Sequence, residues 1–238
     1  MKKIIVLCIL LFSVLSAGIL HAQNNTPPES FKNLNKKNRY TSFYFGMGAS
    51  VGNNSSLIDY ISGDIPFYNT IATSEQLSNF SEGLEFFGGA EFQLSKNFSI
   101  KPQYSYFIKS FSVSQFSAYD YSYYNHQPYI IFNYVAPQDY SFFKVGAGIG
   151  YIISKFTRKE FGSETQYSSS GIGLMTEGVL NLQISGNLGG YIGGYISQTI
   201  NGDLEDDNGN KLTNVNGDNV NLNSLTIGLR LGIEIFIF

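Results

Sequence analysis

The chain contains no tryptophan, one cysteine, two histidines and six prolines in 238 residues, and only 14% of it is charged. Its single cysteine, Cys8, lies inside an apolar N-terminal run and not after it, where a lipid-bearing cysteine would stand. Beyond that run there is no thiol, which excludes disulfides, thiolate metal sites and cysteine nucleophiles. No HExxH, GxSxG or glycine-rich phosphate loop is present. A net charge of −3, a pI near 5.4 and no basic cluster argue against nucleic acid as a partner. After Ala22 no stretch approaches the roughly 18 consecutive apolar residues of a membrane helix. That leaves membrane strands open, because a barrel strand turns only half its residues to lipid.

The segment Met1 to Ala22 has a positive start, an apolar middle and a small-residue end, the three parts of a secretory signal peptide. A cut after Ala22 is expected, with Gly18 as the other site. Residues 23–39 are polar, carry Pro27-Pro28 and Lys36-Lys37, and read as a periplasmic leader. Residues 40–238 form the body of the protein.

What the body has in abundance is glycine (25 in the whole chain), aromatic residues (16%) and alternation. From Ser224 to Phe238 the alternation is strict. Leu225, Ile227, Leu229, Leu231, Ile233, Ile235 and Ile237 share one face, and Thr226, Gly228, Arg230, Gly232 and Glu234 share the other. Similar alternation predicts eight strands at about 40–51, 83–95, 98–110, 127–135, 140–155, 170–185, 188–199 and 224–238. Connections two, four and six are short and rich in turn residues, such as Lys96-Asn97 and Gly186-Asn187. Connections one, three, five and seven are long and polar. This pattern predicts an all-β fold: an eight-stranded antiparallel up-and-down transmembrane β-barrel, with short periplasmic turns and long extracellular loops.

The charges supply a second argument. Glu85, Glu91, Lys101, Lys109, Lys144, Glu177, Arg230 and Glu234 all fall opposite the apolar face of their strands. A Lys or Arg facing lipid at mid-membrane costs about 2–4 kcal/mol, so the apolar face belongs to lipid and the charges to the lumen. A soluble lipocalin-like barrel would reverse the two faces. Four acids and four bases in an eight-stranded lumen predict a salt-bridged filling, with a narrow ion path as the other reading. Inward glycines, among them Gly146, Gly148, Gly189 and Gly193, are expected to make room for the Lys, Arg and Tyr chains.

Beyond the lumen, His126 stands beside Gln127-Pro128 at the outer end of strand four. It is the one histidine available to a lipid-acting hydrolase, but no serine follows it in register, and a histidine at the interface or in a loop is the preferred reading. Asp203 to Asn210 looks calcium-like, yet aligning Gly209 with the glycine of an EF-hand loop puts Leu204 in the first ligand position. A hairpin tip at Asn208-Gly209 fits better. No catalytic, cofactor or metal site is therefore expected. Tyr40, Tyr104, Tyr106, Tyr134, Tyr140 and Tyr151 suit interfacial girdles. Ile65-Pro66-Phe67-Tyr68 and Tyr119 to Tyr124 give loop aromatics that pack together or meet an extracellular ligand.

A signal ending in His-Ala-Gln, a first strand reading Phe43-Tyr-Phe-Gly-Met-Gly-Ala-Ser-Val-Gly52, and the Gly83-to-Tyr106 hairpin resemble the small outer-membrane β-barrel proteins of Bacteroidota, a group that includes PorT-like and OmpA/OmpX-like barrels. The resemblance covers about 40–238. It implies an outer-membrane location, contact with outer-membrane lipid, and insertion by the barrel-assembly machinery, which reads a terminal aromatic such as Phe238. Phe238 is out of phase with Ile233, Ile235 and Ile237, so either a bulge near Phe236 resets the register or the signal is divergent. The whole reading is a monomeric, non-enzymatic barrel with a structural or surface-interaction role.

Overall fold

The structure, a computed structural model, describes residues 40–64, 82–113, 119–137, 141–185 and 187–237. The expected signal peptide and leader, Ile65 to Tyr68, Tyr140 and Phe238 lie outside these residues. Among the described residues the strands are β1 (Thr41–Asn53), β2 (Glu82–Ser95), β3 (Phe98–Val113), β4 (Tyr119–Pro137), β5 (Ser141–Glu160), β6 (Ser163–Ser185), β7 (Leu188–Asn201) and β8 (Ser224–Ile237), with a helix, α1 (Ser55–Asp64), between β1 and β2. Each strand pairs antiparallel with its sequence neighbours, and β1 pairs with β8 to close the barrel.

The period-two pattern dictates which face goes where. Phe45, Met47 and Leu84 point outward and are 58%, 60% and 61% exposed, as are Phe132, Ile149, Ile172 and Ile227 on other strands. Between them, Glu85, Lys101, Lys144 and Arg230 point inward and are buried. An apolar belt of this extent, contributed by every strand, is far larger than the patches a soluble monomer leaves in water. Among the described residues no helix is long and apolar enough to cross a membrane, which says nothing of crossing by strands.

Several expectations are corrected. The β1–β8 register runs unbroken from Asn53↔Leu225 to Thr41↔Ile237, so there is no bulge near Phe236. Phe236 turns into the lumen and is buried against Tyr40 and Phe142. Tyr40 is thus part of the interior and not of a girdle, whereas Tyr104, Tyr134 and Tyr151 do face outward. Connection five is no long loop. β5 and β6 continue as a paired ladder to Glu160↔Ser163 and turn through Phe161 (φ 45°) and Gly162 (φ 84°). Two successive positive φ values make the type I′ hairpin turn, whose twist matches that of the strands. Likewise β3 and β4 pair out to Val113↔Tyr119.

α1 was not foreseen. Asn54 caps it, its Oδ1 accepting from the Leu57 amide at 3.0 Å, and Leu57, Tyr60 and Ile61 bury one face at helical spacing. Connection seven is also built, not loose. It contains an eight-residue repeat: Leu204, Leu212 and Val220 recur with Asp206-Asp207-Asn208-Gly209-Asn210 and Asn214-Val215-Asn216-Gly217-Asp218 between them. In each turn the leading Asx oxygen accepts two amides, Asn208 and Asn210 at Asp206, Asn216 and Asp218 at Asn214. Gly209 and Gly217 take positive φ. The three apolar residues close a ring of backbone bonds, Leu204 N to Val220 O, Val220 N to Leu212 O and Leu212 N to Leu204 O, each 2.8 Å.

Candidate functional site

The interior is stacked in layers. At the end of the short turns, Tyr40, Val135, Phe142 and Phe236 form an apolar floor. Next comes Lys144, whose Nζ lies 2.6 Å from Glu91 and 3.4 Å from Glu234. Ser42 and Asn181 also donate to Glu234, and Ser99 to Glu91. Each carboxylate thus meets a cation and at least one neutral donor, the condition under which buried charge is tolerated.

Above this lies a second network. Arg230 grips Glu85 with two bonds, Nη2 to Oε1 at 2.6 Å and Nε to Oε2 at 3.0 Å, and reaches Glu177 through Nη1 at 3.3 Å. Lys101 pairs with the other oxygen of Glu177. The register explains how Arg230 and Glu85 meet. Both stand directly opposite Gly48, on β8 and β2. They are two strands apart and meet across β1 over Gly48, where a Cβ would stand 3.2 Å from both Arg230 Cγ and Glu85 Oε2 and crowd the pair. Aromatic rings fill the remaining space, Tyr195 with its centroid 4.0 Å from the guanidinium and Tyr44 and Tyr191 flanking Lys101 at 5.2 and 5.5 Å. Gly228 leaves the room that the Tyr195 ring occupies. Gly146 and Gly148, expected to seat Lys, Arg or Tyr, instead seat Asn133 and Ile131.

The structure therefore brings seven of the eight anticipated charges into two contiguous networks. Lys109, the eighth, is buried at 6% exposure but has no carboxylate partner among the described residues. It lines a cavity of about 20 Å³ at the outer end of the lumen.

Over that end sits an apolar cap. Leu57, Tyr60 and Ile61 of α1 pack with Tyr121, Tyr123, Phe156, Leu204, Leu212, Val220 and Leu222. Polar ties hold it down: Arg158 to Asp64 at 2.7 Å, the Tyr121 hydroxyl to Asp64 at 2.8 Å, and the Asn221 amide to Ser56 at 3.1 Å. Asp64 ends a helix, where the dipole disfavours an anion, and Arg158 offsets this. Glu205 pairs with Ser168, covering the edge of β6 that β7 does not reach.

His126 faces outward, not toward the lumen, within a tyrosine cluster. Its Nδ1 is hydrogen-bonded to the Tyr104 hydroxyl, and the rings of Tyr106 and Tyr124 lie 5.0 and 5.9 Å away. Its ring has no serine or carboxylate partner among the described residues. Asn208-Gly209 forms a loop tip, with Asp206 oxygens committed to its own loop. No group of three or more His, Cys, Asp or Glu suited to a metal occurs among the described residues.

No protein-family model matches the chain, and no curated protein matches it. Solved structures do. The chain is similar to Neisserial surface protein A (11% identity, TM-score 0.50, covering 84% of this chain and 99% of that one). It is similar to Ail, the attachment invasion locus protein of Yersinia pestis (10% identity, TM-score 0.50, 84% and 100%), and to a major outer membrane protein from Thermus thermophilus (12% identity, TM-score 0.50, 83% and 99%). At such identities the likeness is one of fold. The fold is the closed eight-stranded antiparallel β-barrel that these outer-membrane proteins have.

Proposed function

We propose that this protein is a monomeric outer-membrane barrel with a sealed lumen, and that its role is structural or is exercised through the extracellular cap. The observation that carries this is the stack itself: an apolar floor, two ion-pair networks, and an apolar cap in one continuous column. Buried ion pairs of this kind add little to stability over an apolar filling. They do fill the barrel while the charges of the strand cores stay off the apolar belt. The outward belt fits outer-membrane lipid, and the N-terminal segment fits export by a cleaved signal. The final strand fits delivery to the barrel-assembly machinery. The sequence of the first strand and of the Gly83-to-Tyr106 hairpin supports grouping the chain with the PorT-like and OmpA/OmpX-like barrels of Bacteroidota.

Boiled and unboiled samples from the outer-membrane fraction, compared on a gel, test the architecture and location together. A mobility shift on boiling supports them. A single unshifted band in the soluble periplasm overturns them.

A narrow pore is the second reading, favoured by the polar cavity around Lys109 just beneath the cap. The hydrolase reading of His126 loses support from its outward, tyrosine-bound position, and His126→Ala tests it through activity on phospholipid or lipid A.

A further inference from the structure

Among the described residues, Lys109 is the one lumen cation left without a counter-ion. Lys101, Lys144 and Arg230 each contact at least one carboxylate, and their networks hold all four lumen acids. Beside its Nζ lies the Phe107 ring, with its centroid 5.4 Å away. A charge removed from water this far needs an opposite charge, or it is lost. Among the described residues, the cavity it lines has no other charged side chain in its wall.

The rest of the wall is mainly polar, with the rings of Phe107, Tyr123 and Tyr195 set into it. Asn54, Asn125, Ser197, Thr199 and Thr226 contribute amides and hydroxyls from four other elements or their ends. Two of these side chains carry buried polar atoms without a partner: Nδ2 of Asn54, a donor, and Oδ1 of Asn125. Turning the Asn125 amide over satisfies its oxygen with the Tyr123 hydroxyl, to which it is already bonded, and frees its NH2 to donate. Hydroxyls rotate to suit whatever faces them. The wall thus offers an ammonium, one or two amide donors and several hydroxyls.

We propose that this cavity binds one halide-sized anion, chloride in ordinary surroundings. Its volume of about 20 Å³ suits a single-atom occupant, since about 10–15 Å³ on the same measure holds one water. A tetrahedral oxyanion requires the wall to move. The bound anion neutralises Lys109 and fills the cavity below the cap, so the site belongs to the folded state and its occupancy is linked to stability.

The test uses the full chain, folded in detergent, with sodium chloride, bromide, sulfate and gluconate at matched ionic strength. The midpoint of heat unfolding, read by gel mobility, rises with chloride and bromide concentration and stays flat in gluconate and sulfate. Lys109→Met abolishes the halide dependence, whereas Lys159→Met, at an exposed pair with Glu164, retains it. Crystals grown in bromide show an anomalous peak beside Lys109, a readout that survives if Lys109→Met fails to fold. Equal stabilisation by all four salts, retained halide dependence in Lys109→Met, or a bromide peak absent from Lys109 each overturns the proposal.

Discussion

Replacing Arg230 by methionine asks whether the lumen is dry. Methionine keeps most of the stem and discards the guanidinium. Glu85 then loses both of its bonds from Arg230, at 2.6 and 3.0 Å, while Glu177 keeps Lys101. Both Arg230 and Glu85 are 1% exposed. Removing one partner of such a buried pair costs about 3–5 kcal/mol, because the other charge is stranded. Loss of the guanidinium over the Tyr195 ring adds up to about 2 kcal/mol. In a water-filled lumen the same pair behaves as an exposed one, worth about 0–1 kcal/mol. Urea titration of the barrel in lipid vesicles, scored by the fraction that keeps its unboiled mobility, separates the two ranges. Glu85→Leu with Arg230→Met removes both charges and recovers most of the loss, since an apolar replacement of a whole buried pair is near neutral. A loss under about 1 kcal/mol in Arg230→Met, with no recovery in the double variant, refutes a dry, ion-paired lumen.

Phe45→Arg puts a cation on the outward belt and lowers stability in vesicles by about 2–4 kcal/mol in the same titration; no loss would mean that this face does not meet lipid. Leu212→Ala empties a buried cap position and costs the cap about 2–5 kcal/mol, read as faster proteolysis within 203–221 with the barrel's mobility shift intact. Asp203 is held below the usual carboxylate range by hydrogen bonds from Lys211 and then Asn219. A depressed folded-state value stabilises the closed cap above the unfolded value and is lost as pH falls through the folded one. Amide exchange at Leu204 and Val220 therefore gains an acid-dependent component on lowering the pH through that window, and Asp203→Asn removes it.

The barrel was legible in the sequence because half of each strand core faces outward as apolar residues and half inward as polar ones. Where both conditions held, as in β1, β2, β7 and β8, the expected limits fall within about two residues of those observed. The extensions of β3 to β6 were not legible. Beyond the apolar belt the outward face is polar as well, so Lys155 to Glu160 and Ser163 to Ser170 alternate weakly and read as loop. Phe161-Gly162 was the available signal for the turn. Packing of Tyr121 and Tyr123 was expected, but the aliphatic part of the cap went unseen for a related reason. Leu204, Leu212 and Val220 recur at eight residues, which is neither a strand nor a helix period, and only a search for self-similarity brings it out.

The lumen divides similarly. Which charges face inward follows from parity alone, but partnership depends on which strands adjoin and on gaps such as Gly48. That Lys109 stands apart from the others follows from the three-dimensional arrangement of the strands around it. It lies on the same face as Lys101, with nothing in the local sequence to distinguish them.

Single-channel recording in planar bilayers, on protein whose fold is verified by its mobility shift, tests the sealed lumen most directly. A column closed by its floor, ion-pair networks and cap predicts a flat trace at all voltages the bilayer withstands. Discrete openings of uniform size, altered by Arg230→Met, would contradict it and establish the lumen as a conducting path.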